Sequence, residues 1–325
     1  IRHANVLDAV AGQEDIAGSF GWCMFDYNTH KDFGSGDRIC YHGVLDMFRN
    51  PKPAAAVYAS QEDRNPVLEL SSTMDIGEHP ACNRGDTYLI SNADSVRMYK
   101  NNILIKEYKQ SDSKYQNLKH GPILINDYVG DAIAKEEGYS KRQAKIVKDC
   151  MNHVAMHGMQ ITPKLVWNAF QLICIYHMNP NDAVGLYNKY VGDWGGESKQ
   201  YRFDAIKDGK VVRSLIKTPM KKASLAVSLS ATTLVEDITY DVIEARVRAV
   251  DEYGNQLYYM QESLSVTISG PVELIGPNAV PLRGGATGLY IKSMGEPGEA
   301  SVTIACAGLD PVPIKLEVQS TREDN

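Results

Sequence analysis

The sequence lacks the long apolar run that a membrane-spanning helix needs. Such a helix takes about 18 or more consecutive apolar residues, whereas the densest stretch, residues 165–178, is interrupted by Asn168, Gln171 and His177. An excess of basic residues is also missing, because 34 Lys and Arg stand against 40 Asp and Glu, for a net charge of −6. A chain without a basic excess is poorly suited to the phosphates of DNA or RNA. We therefore expect neither membrane nor nucleic acid as a partner.

The cysteines do not form the dense framework of a disulfide-stabilised secreted domain. Six of them are spread over 325 residues and none lies in a CxxC pair, so we expect mostly free thiols. The chain opens Ile1-Arg2-His3, without an initiator Met, a basic segment or an apolar segment. We therefore expect no signal peptide here and do not expect this start to be a natural N-terminus. The compartment stays open between cytoplasmic, periplasmic and extracellular.

The composition is that of an ordinary globular protein. Hydrophobic residues make up 43%, charged residues 23%, and the mean hydropathy is −0.30, which excludes an intrinsically disordered chain. A length of 325 residues predicts two domains, or three small ones.

The N-terminal segment predicts only part of an α/β domain. Residues 3–11 have the pattern of a short helix, and the apolar run 16–25 predicts a strand buried on both faces. A polar, Gly-rich loop follows over 28–38, and Pro51, with Asn50 as its cap, opens a second helix. Two helices and one strand cannot close a sheet. We therefore expect this segment to be poorly ordered, to pack on the next domain or to pair with another copy.

Further along the chain, apolar and polar residues alternate with the period of β-strands. Strands are predicted within 87–108, with Asn101-Asn102 as a hairpin turn, because asparagine tolerates a positive φ. The pattern resumes at Tyr201, with a type I′ turn at Asp208-Gly209. Together these strands predict a first β-sandwich.

Helix signals interrupt this sandwich between residues 125 and 198. Ser140 followed by Gln143 forms a capping box, and Thr162-Pro163 opens another helix. Residues 163–178 are apolar over much of the helix circumference. We therefore expect that helix to be buried by its neighbours.

A second β region follows over residues 225–318. Its short alternating strands are separated by turn signals at 253–255, 270–271, 276–277 and 284–285. A β region of about 100 residues is typical of an immunoglobulin-like sandwich.

The densest functional signal is the run GWCMFDYNTH over residues 21–30. It places Trp22 near Asp26, Asn28 and His30 at the end of the predicted strand, where α/β barrels build their sites. An aromatic face beside hydrogen-bonding groups is suited to a sugar ring. The residues alone leave open the alternative that Trp22 is a core side chain.

Five short segments around this run form a recognisable set. They are AGSFGW, DYN, GSGD, YHGV and RNPKP, at residues 17–22, 26–28, 34–37, 41–44 and 49–53. This set resembles the eighth strand, its loop and the last barrel helix of glycoside hydrolase family 2, the β-galactosidase-like enzymes. The resemblance implies that Trp22 lines the sugar subsite at the cleaved bond. It also implies that Asp26, Asn28 and His30 bind sugar hydroxyls or hold the loop.

The resemblance covers nearly the whole chain apart from the helical insertion. Residues 88–102 look like the sandwich that follows the barrel, with Asn101-Asn102 where the family usually has Asn-Gly, and residues 250–277 look like the accessory C-terminal sandwich. The implied fold is mainly β with α: two immunoglobulin-like β-sandwiches, the first with a helical insertion, preceded by the C-terminal fragment of a (β/α)8 barrel. The expected domains are the barrel fragment 1–60, the first sandwich 61–124 plus 199–219, the insertion 125–198 and the C-terminal sandwich 220–320.

The family's two catalytic glutamates have no counterpart in this sequence. Family members are retaining enzymes whose acid/base and nucleophile carboxyls lie about 5 to 5.5 Å apart, and the resemblance implies that both lie upstream of Ile1. Glu14 is the sole glutamate before Trp22, and it lies in a predicted turn at the opposite end of the strand. We therefore expect the N-terminal catalytic part of the same polypeptide as a partner, and no activity from this chain alone.

The loop after the predicted strand favours a neutral sugar. Family members that act on glucuronides carry Asn-x-Lys there to hold the sugar carboxylate, and Cys40, Tyr41 and His42 stand at those positions here. The resemblance therefore implies a β-galactoside or another neutral β-glycoside as substrate. A second hypothesis stays open, in which the chain is a non-catalytic module that binds glycan or other domains through its sandwiches. Homo-oligomerisation also stays open.

No group of residues predicts a metal ion or a cofactor. His153 and His157 have the spacing of two ligands on one helix, but no third ligand accompanies them. Asp182 and Asp251-Glu252 lack the oxygen-ligand spacing of a calcium loop. Three aromatic residues that could form a glycan patch are interpreted as packing residues: Trp194, Tyr258 and Tyr259.

Overall fold

A computed structural model describes residues 1–32, 36, 38–80, 84–192 and 198–321. The chain divides into two compact units. Unit 1 comprises Ile1–Leu45, Pro51–Asp75 and His79–Pro219, and unit 2 comprises Asp46–Asn50, Ile76–Glu78 and Met220–Asn325. The division into four domains stays a prediction. None of the described helices is long and apolar enough to span a bilayer.

Unit 1 begins with the two helices that the sequence predicts. Helix α1 spans Arg2–Ala11 and helix α2 spans Pro53–Ala59. Between them, the short strands β1 (Tyr27–Asn28) and β2 (Ile39–Cys40) form an antiparallel pair. The polar loop is thus closed at its base by a two-stranded ladder.

Helix α2 begins two residues later than the sequence predicts. Its N-cap is Lys52 rather than Asn50. The Asn50 side chain instead donates to Asp46 Oδ2 (3.0 Å), and Pro51 forms an isolated bridge with Leu45. Both residues are therefore committed to a turn, and the helix starts at the second proline of the motif.

Both helices pack on the strands that follow them. Ala4 of α1 and Val57 of α2 are fully buried in one cluster with Ile90 and Tyr115. The Tyr115 hydroxyl donates to Asn5 Oδ1 (2.8 Å). Of the three arrangements expected for this segment, packing on the first sandwich is the one observed.

The buried strand that the sequence predicts over residues 16–25 is wrong. Residues 16–22 are exposed and carry no strand, and only the end of the run is paired. There, Val44 N–H donates to the Cys23 carbonyl (3.1 Å) and Leu45 N–H to the Met24 carbonyl (2.9 Å). A strand needs neighbours for its backbone groups, and within the described part of the chain no strand runs beside residues 16–22.

The first sandwich consists of two sheets of unit 1. One has the order β3 (Leu68–Leu70), β6 (Tyr88–Ser91), β9 (Ile123–Leu124), and the other has the order β11 (Lys210–Lys217), β10 (Tyr201–Lys207), β7 (Ser95–Lys100), β8 (Ile103–Lys109). The two-residue strands β4 (Asp75–Ile76) and β5 (His79–Pro80) precede β6 in the chain. Asn101 and Asn102 have φ values of 47° and 66°, and Asp208 and Gly209 of 50° and 72°. Both hairpin turns are therefore confirmed.

Helices interrupt this sandwich between β9 and β10, as the sequence predicts. They are α3 (Ala132–Glu136), α4 (Lys141–His157), α5 (Pro163–Phe170) with a π-helical turn over Gln171–Ile175, and α6 (Asp182–Tyr190); a 3-10 turn over Gln110–Asp112 precedes them. Ser140 Oγ accepts from Gln143 N–H (3.2 Å), and Thr162 Oγ1 accepts from Leu165 N–H (3.2 Å). Both predicted N-caps are therefore confirmed.

The expectation that neighbours bury the whole of α5 is wrong. Leu172 is buried in the core of unit 1, and Leu165 packs against that core. Val166, Phe170 and Ile173 lie on the other side of the helix and are exposed. Helix α5 therefore packs through one face, although apolar residues occupy both.

Unit 2 contains the second sandwich. One sheet has the order β12 (Ser224–Leu229), β14 (Val242–Val250), β18 (Ala286–Ser293), β16 (Val272–Ile275), and the other has the order β13 (Thr233–Glu236), β20 (Val312–Ser320), β19 (Gly298–Cys306), β15 (Ser263–Ser269), β17 (Ala279–Pro281). Strand β13 is parallel to β20. Alternate residues of the strands face inward, and Ile243, Val247, Ile291, Val302 and Ile304 are among the most buried. The second sandwich therefore has its own core.

Two five-residue loops of unit 2 share one hydrogen-bonding pattern. They are residues 46–50 and 251–255, and each begins with an aspartate and ends with an asparagine. The aspartate Oδ1 accepts from the backbone N–H of the third residue (2.9 Å) and of the fifth (2.8 Å) in both. The fourth residue has a positive φ, 66° for Arg49 and 81° for Gly254. Each aspartate carboxylate is therefore engaged by its own loop.

Candidate functional site

Trp22 presents its indole at the surface of unit 1. Trp22 is 75% exposed, and the peptide bond between Trp22 and Cys23 is cis. Indole Nε1 donates to the Tyr27 hydroxyl (3.4 Å), and the two rings meet edge to face, with centroids 6.5 Å apart at 89°. Trp22 is therefore not a core side chain in this structure, and its ring is oriented by Tyr27.

Asp26 lies beneath the surface as a buried carboxylate. Its Oδ1 accepts from Gly43 N–H (2.8 Å) and from the Lys52 ammonium (2.7 Å). Lys52 is also the N-cap of α2. Asp26 thus connects the end of the 21–30 run to both the loop's return and the following helix. Of the two roles predicted for Asp26, this position supports holding the loop.

Asn28 and His30 lie on the exposed side of the loop. Asn28 is in β1, opposite Ile39 of β2. His30 Nδ1 accepts from Asp32 N–H (3.2 Å) and lies 3.9 Å from Asp32 Oδ2. Both side chains are accessible to a ligand in solution. The segment Gly34-Ser35-Gly36-Asp37 lies outside the described residues apart from Gly36.

Three residues that the sequence reasoning did not assign to the site connect its parts. Tyr27, which orients Trp22, is paired in register with Cys40, and hydrogen bonding to Cys40 raises the pKa of Tyr27. The Cys40 Sγ also lies 3.1 Å from His42 Nδ1. A signal for this chain of contacts was present, since all three residues fall in the matched segments or beside them. Their pairing depends on the β1–β2 ladder, which no local pattern predicts.

Cys23 lies beside the same cluster. Its Sγ donates to the Phe25 carbonyl (3.0 Å), and burial, followed by the nearness of Cys40, raises the pKa of the Cys23 thiol. All five described cysteines are free thiols, as the sequence predicts, and Cys82 lies outside the described residues. Thiols with raised pKa values are protonated and unreactive at neutral pH. We therefore assign Cys23 no chemical role in the site.

A cavity of about 260 Å³ opens beside Trp22. Its walls come from α1, from Tyr58 of α2 and from the exposed run that ends in Trp22. The His3 Nδ1 and the Tyr58 hydroxyl are hydrogen-bonded (2.9 Å) at its side, and burial lowers the pKa of His3. The lining thus combines aromatic rings with a few polar groups, the mixture typical of small-molecule sites.

The other candidate residues are occupied by contacts of their own. His153 Nε2 lies 2.8 Å from the Gln160 carbonyl, and its ring is 5.1 Å from that of His157. No three His, Cys, Asp or Glu side chains are grouped around a common point in the described ranges. Tyr258 and Tyr259 of unit 2 are 38% and 67% exposed, so the interpretation of Tyr259 as a packing residue is wrong, and Trp194 lies outside the described residues.

Comparison with known proteins identifies relatives that are much longer than this chain. A β-galactosidase from Thermoanaerobacterium thermosulfurigenes is 34% identical over 289 residues, which are 88% of this chain and 32% of that protein. A β-galactosidase from Thermoanaerobacter pseudethanolicus is 30% identical over 301 residues, 91% of this chain and 33% of that protein. The chain therefore spans about a third of these relatives. No protein-family model matches the sequence.

Solved structures share the fold over almost the whole chain. A β-glycosidase from Bacteroides vulgatus superposes with a TM-score of 0.61 at 16% identity, covering 97% of this chain and 32% of that one. A β-glucuronidase from glycoside hydrolase family 2 gives a TM-score of 0.60 at 14% identity, covering 100% of this chain and 27% of that one. At these identities the likeness concerns the fold. It agrees with the two-sandwich architecture implied by the sequence motifs.

Proposed function

The chain belongs to glycoside hydrolase family 2, as a C-terminal portion of such a protein, and on this basis we propose that the parent protein is a retaining β-galactosidase. In such an enzyme one carboxylate attacks the sugar and another protonates the leaving group. This chain supplies the part of the sugar site that contains Trp22, and the rest of the polypeptide supplies the two carboxylates. The accessible indole of Trp22, held edge-on by Tyr27 beside a cavity, is the observation that carries the proposal.

Trp22 acts by binding rather than by chemistry. Its indole stacks on the apolar face of the sugar at the cleaved bond, while Asn28 and His30 contact hydroxyls. Asp26 keeps the loop in place through Gly43 and Lys52. Contacts that strengthen as the ring distorts toward the transition state raise kcat, and contacts present throughout lower KM.

The groups around the loop favour a neutral sugar over a uronate. A sugar carboxylate needs a cation, and the Lys52 ammonium, which reaches the base of this loop, is already paired with Asp26 at 2.7 Å. Cys40, Tyr41 and His42 occupy the positions of the uronate motif. We therefore assign a β-galactoside or a similar neutral β-glycoside as substrate.

The decisive experiment replaces Trp22 by Ala in the full-length parent enzyme. We expect kcat/KM for a nitrophenyl β-galactoside to fall by about 100-fold or more, with an unchanged melting curve because the side chain is exposed. Tyr259→Ala, which removes a similarly exposed aromatic from unit 2, is the matched control and keeps full activity.

Two outcomes would contradict this assignment. Full activity of a folded Trp22→Ala enzyme would remove Trp22 from the site and move the sugar contacts to residues 32–42. Faster turnover of a nitrophenyl β-glucuronide than of the galactoside would refute the neutral sugar. In the same assay we expect no turnover from the chain by itself, because the catalytic carboxylate pair is assigned to the rest of the polypeptide and Glu14 is an exposed turn residue.

The isolated chain also fits the second hypothesis, an accessory module. The second sandwich has an independent core and carries an open groove of about 970 Å³ across β19 and β20. Its lining is mainly polar and contains no aromatic residue, so it lacks a stacking platform. We therefore favour a structural role for this sandwich over a role in binding glycans.

A further inference from the structure

The outer surface of α5 and of the segment before it is apolar and exposed. Trp167 is 59% and Phe170 50% exposed, and their rings stack with centroids 5.6 Å apart at 18°. Met159 and Ile161, just before the helix, are 82% and 79% exposed. Six residues form this surface, the α5 face: Met159, Ile161, Val166, Trp167, Phe170 and Ile173.

The extent of the α5 face exceeds what a monomer ordinarily leaves in water. Together, its six side chains expose about 700 Å². The largest apolar patch of a typical monomer covers roughly 300–600 Å², whereas a stable complex buries about 800 Å² on each partner. The α5 face is therefore of the size that one side of a dimer interface requires.

The charge on this surface favours a partner with the same surface. Between Gly158 and Asn181 the sole Asp, Glu, Lys or Arg is Lys164, and its ammonium pairs with Asp149 of α4 at 3.2 Å. When a surface meets its own copy around a two-fold axis, unpaired charges of one sign on that surface face charges of the same sign. Because the single cation of residues 158–181 is paired with Asp149 of its own chain, this segment can meet its copy without repulsion from an unpaired charge.

We propose that the α5 face is a homodimer interface, in which two copies of this chain pack their α5 helices against each other across a two-fold axis. The stacked pair Trp167–Phe170 lies at the centre, where aromatic side chains contribute most of the binding energy of an interface. Met159 and Ile161 extend the contact toward its edge. The interface is separate from the Trp22 site and does not depend on the proposed activity.

Sedimentation velocity of the full-length parent protein over about 1–100 μM tests the proposal, since interfaces of standard size have dissociation constants in this range or below. We expect a monomer–dimer equilibrium in the wild type. Phe170→Glu places a charge at the centre and should weaken the dimer by about 100-fold or more. Tyr259→Glu introduces the same charge at a 67% exposed aromatic of unit 2 and should leave the dimer unchanged.

A second variant separates association from folding. Ile161→Lys lies outside any helix, so it cannot break one, and it should also weaken the dimer while the circular dichroism spectrum stays native. A wild-type chain that remains monomeric at every concentration would overturn the proposal and show that another part of a longer polypeptide, or a different protein, covers the face. A dimer that survives both Phe170→Glu and Ile161→Lys would equally overturn it.

Discussion

At the scale of single residues, backbone conformation decides what a glycine contributes. Gly254 and Gly185 both have open space where a Cβ would stand, but Gly254 has a φ of +81° in the 251–255 loop, whereas Gly185 lies within helix α6. Alanine is strained by about 1–2 kcal/mol in the left-handed region and is favoured over glycine in a helix by about 1 kcal/mol.

The same substitution at these two positions should therefore act in opposite directions. We expect Gly254→Ala to lower the free energy of unfolding by about 1 kcal/mol and Gly185→Ala to raise it by up to about 1 kcal/mol, as measured by urea unfolding. Gly254→Asn should cost less than Gly254→Ala, because asparagine tolerates positive φ. A loss at both positions would show that side-chain contacts, rather than backbone preference, determine the effect.

Residue identities predicted the site only in part. The residues alone leave open a core position for Trp22, the resemblance implies a sugar platform, and the structure leaves the ring at the surface. Asp26 could be assigned to the loop but not to its partners, because Gly43 and Lys52 lie 17 and 26 residues away. Tyr27 was missed for a similar reason. The role of Tyr27 depends on the position and orientation of the Trp22 indole, and the sequence does not specify that orientation.

At the scale of elements, the two faces of α5 should differ in their contribution to stability. Phe170→Ala removes a half-exposed ring and should lower the unfolding free energy by less than about 1 kcal/mol, although a core position would cost about 3–5 kcal/mol. Leu172→Ala, in the following turn, opens the buried core of unit 1 and should cost about 2–5 kcal/mol. Urea unfolding at a concentration low enough to keep the chain monomeric measures both.

Comparable losses in these two variants would contradict the assignment of the faces. They would indicate that Phe170 is a core residue, whereas the structure leaves it half-exposed. Val166→Ala is a useful control on the exposed side, since it shortens another exposed apolar residue of α5 and should also have little effect.

Local signals predicted the elements well where the determinants were local. The caps at Ser140 and Thr162 and the turns at Asn101-Asn102 and Asp208-Gly209 depend on neighbouring residues alone, and all four are confirmed. The predicted strand over 16–25 required neighbouring strands for its backbone hydrogen bonds, and composition does not show whether those strands exist. This apolar run therefore stays unpaired over most of its length. The prediction that neighbours bury α5 was wrong for the same reason. An apolar helix face is stabilised by a packing partner, but its sequence does not show whether such a partner is present.

At the scale of the whole molecule, acid should destabilise unit 1 through Asp127. Its Oδ2 lies 2.5 Å from the Lys148 ammonium, and its Oδ1 accepts from the N–H groups of Val129 (3.0 Å) and Gly130 (2.9 Å). Burial acts to raise the pKa of Asp127, but these hydrogen bonds outweigh it and hold the pKa below its usual value. The stabilisation is therefore complete above about pH 4, the unfolded value, and is lost as pH falls through the lower folded value.

Asp127→Asn isolates this contribution. We expect it to lower the unfolding free energy by about 1–3 kcal/mol at neutral pH, with a difference from the wild type that shrinks as the pH falls below about 4 and through the lowered pKa of Asp127, where the wild-type carboxyl becomes protonated too. Asp310→Asn, at an exposed carboxylate paired loosely with Lys222 (3.5 Å), should change little at any pH. A difference for Asp127→Asn that stays constant with pH would assign its effect to packing rather than to charge.

The position of β20 has a consequence for how the second sandwich is made. This strand, residues 312–320, is the last of the described strands in the chain, yet it lies inside its sheet between β13 and β19 and adds Ile314, Leu316 and Val318 to the core. During synthesis, the edges of β13 and β19 that pair with β20 therefore stay unpaired until residues 312–320 have left the ribosomal exit tunnel. Translation that stops about ten residues before that point leaves a sheet with its interior missing, which exposes the nascent domain to chaperones and proteases.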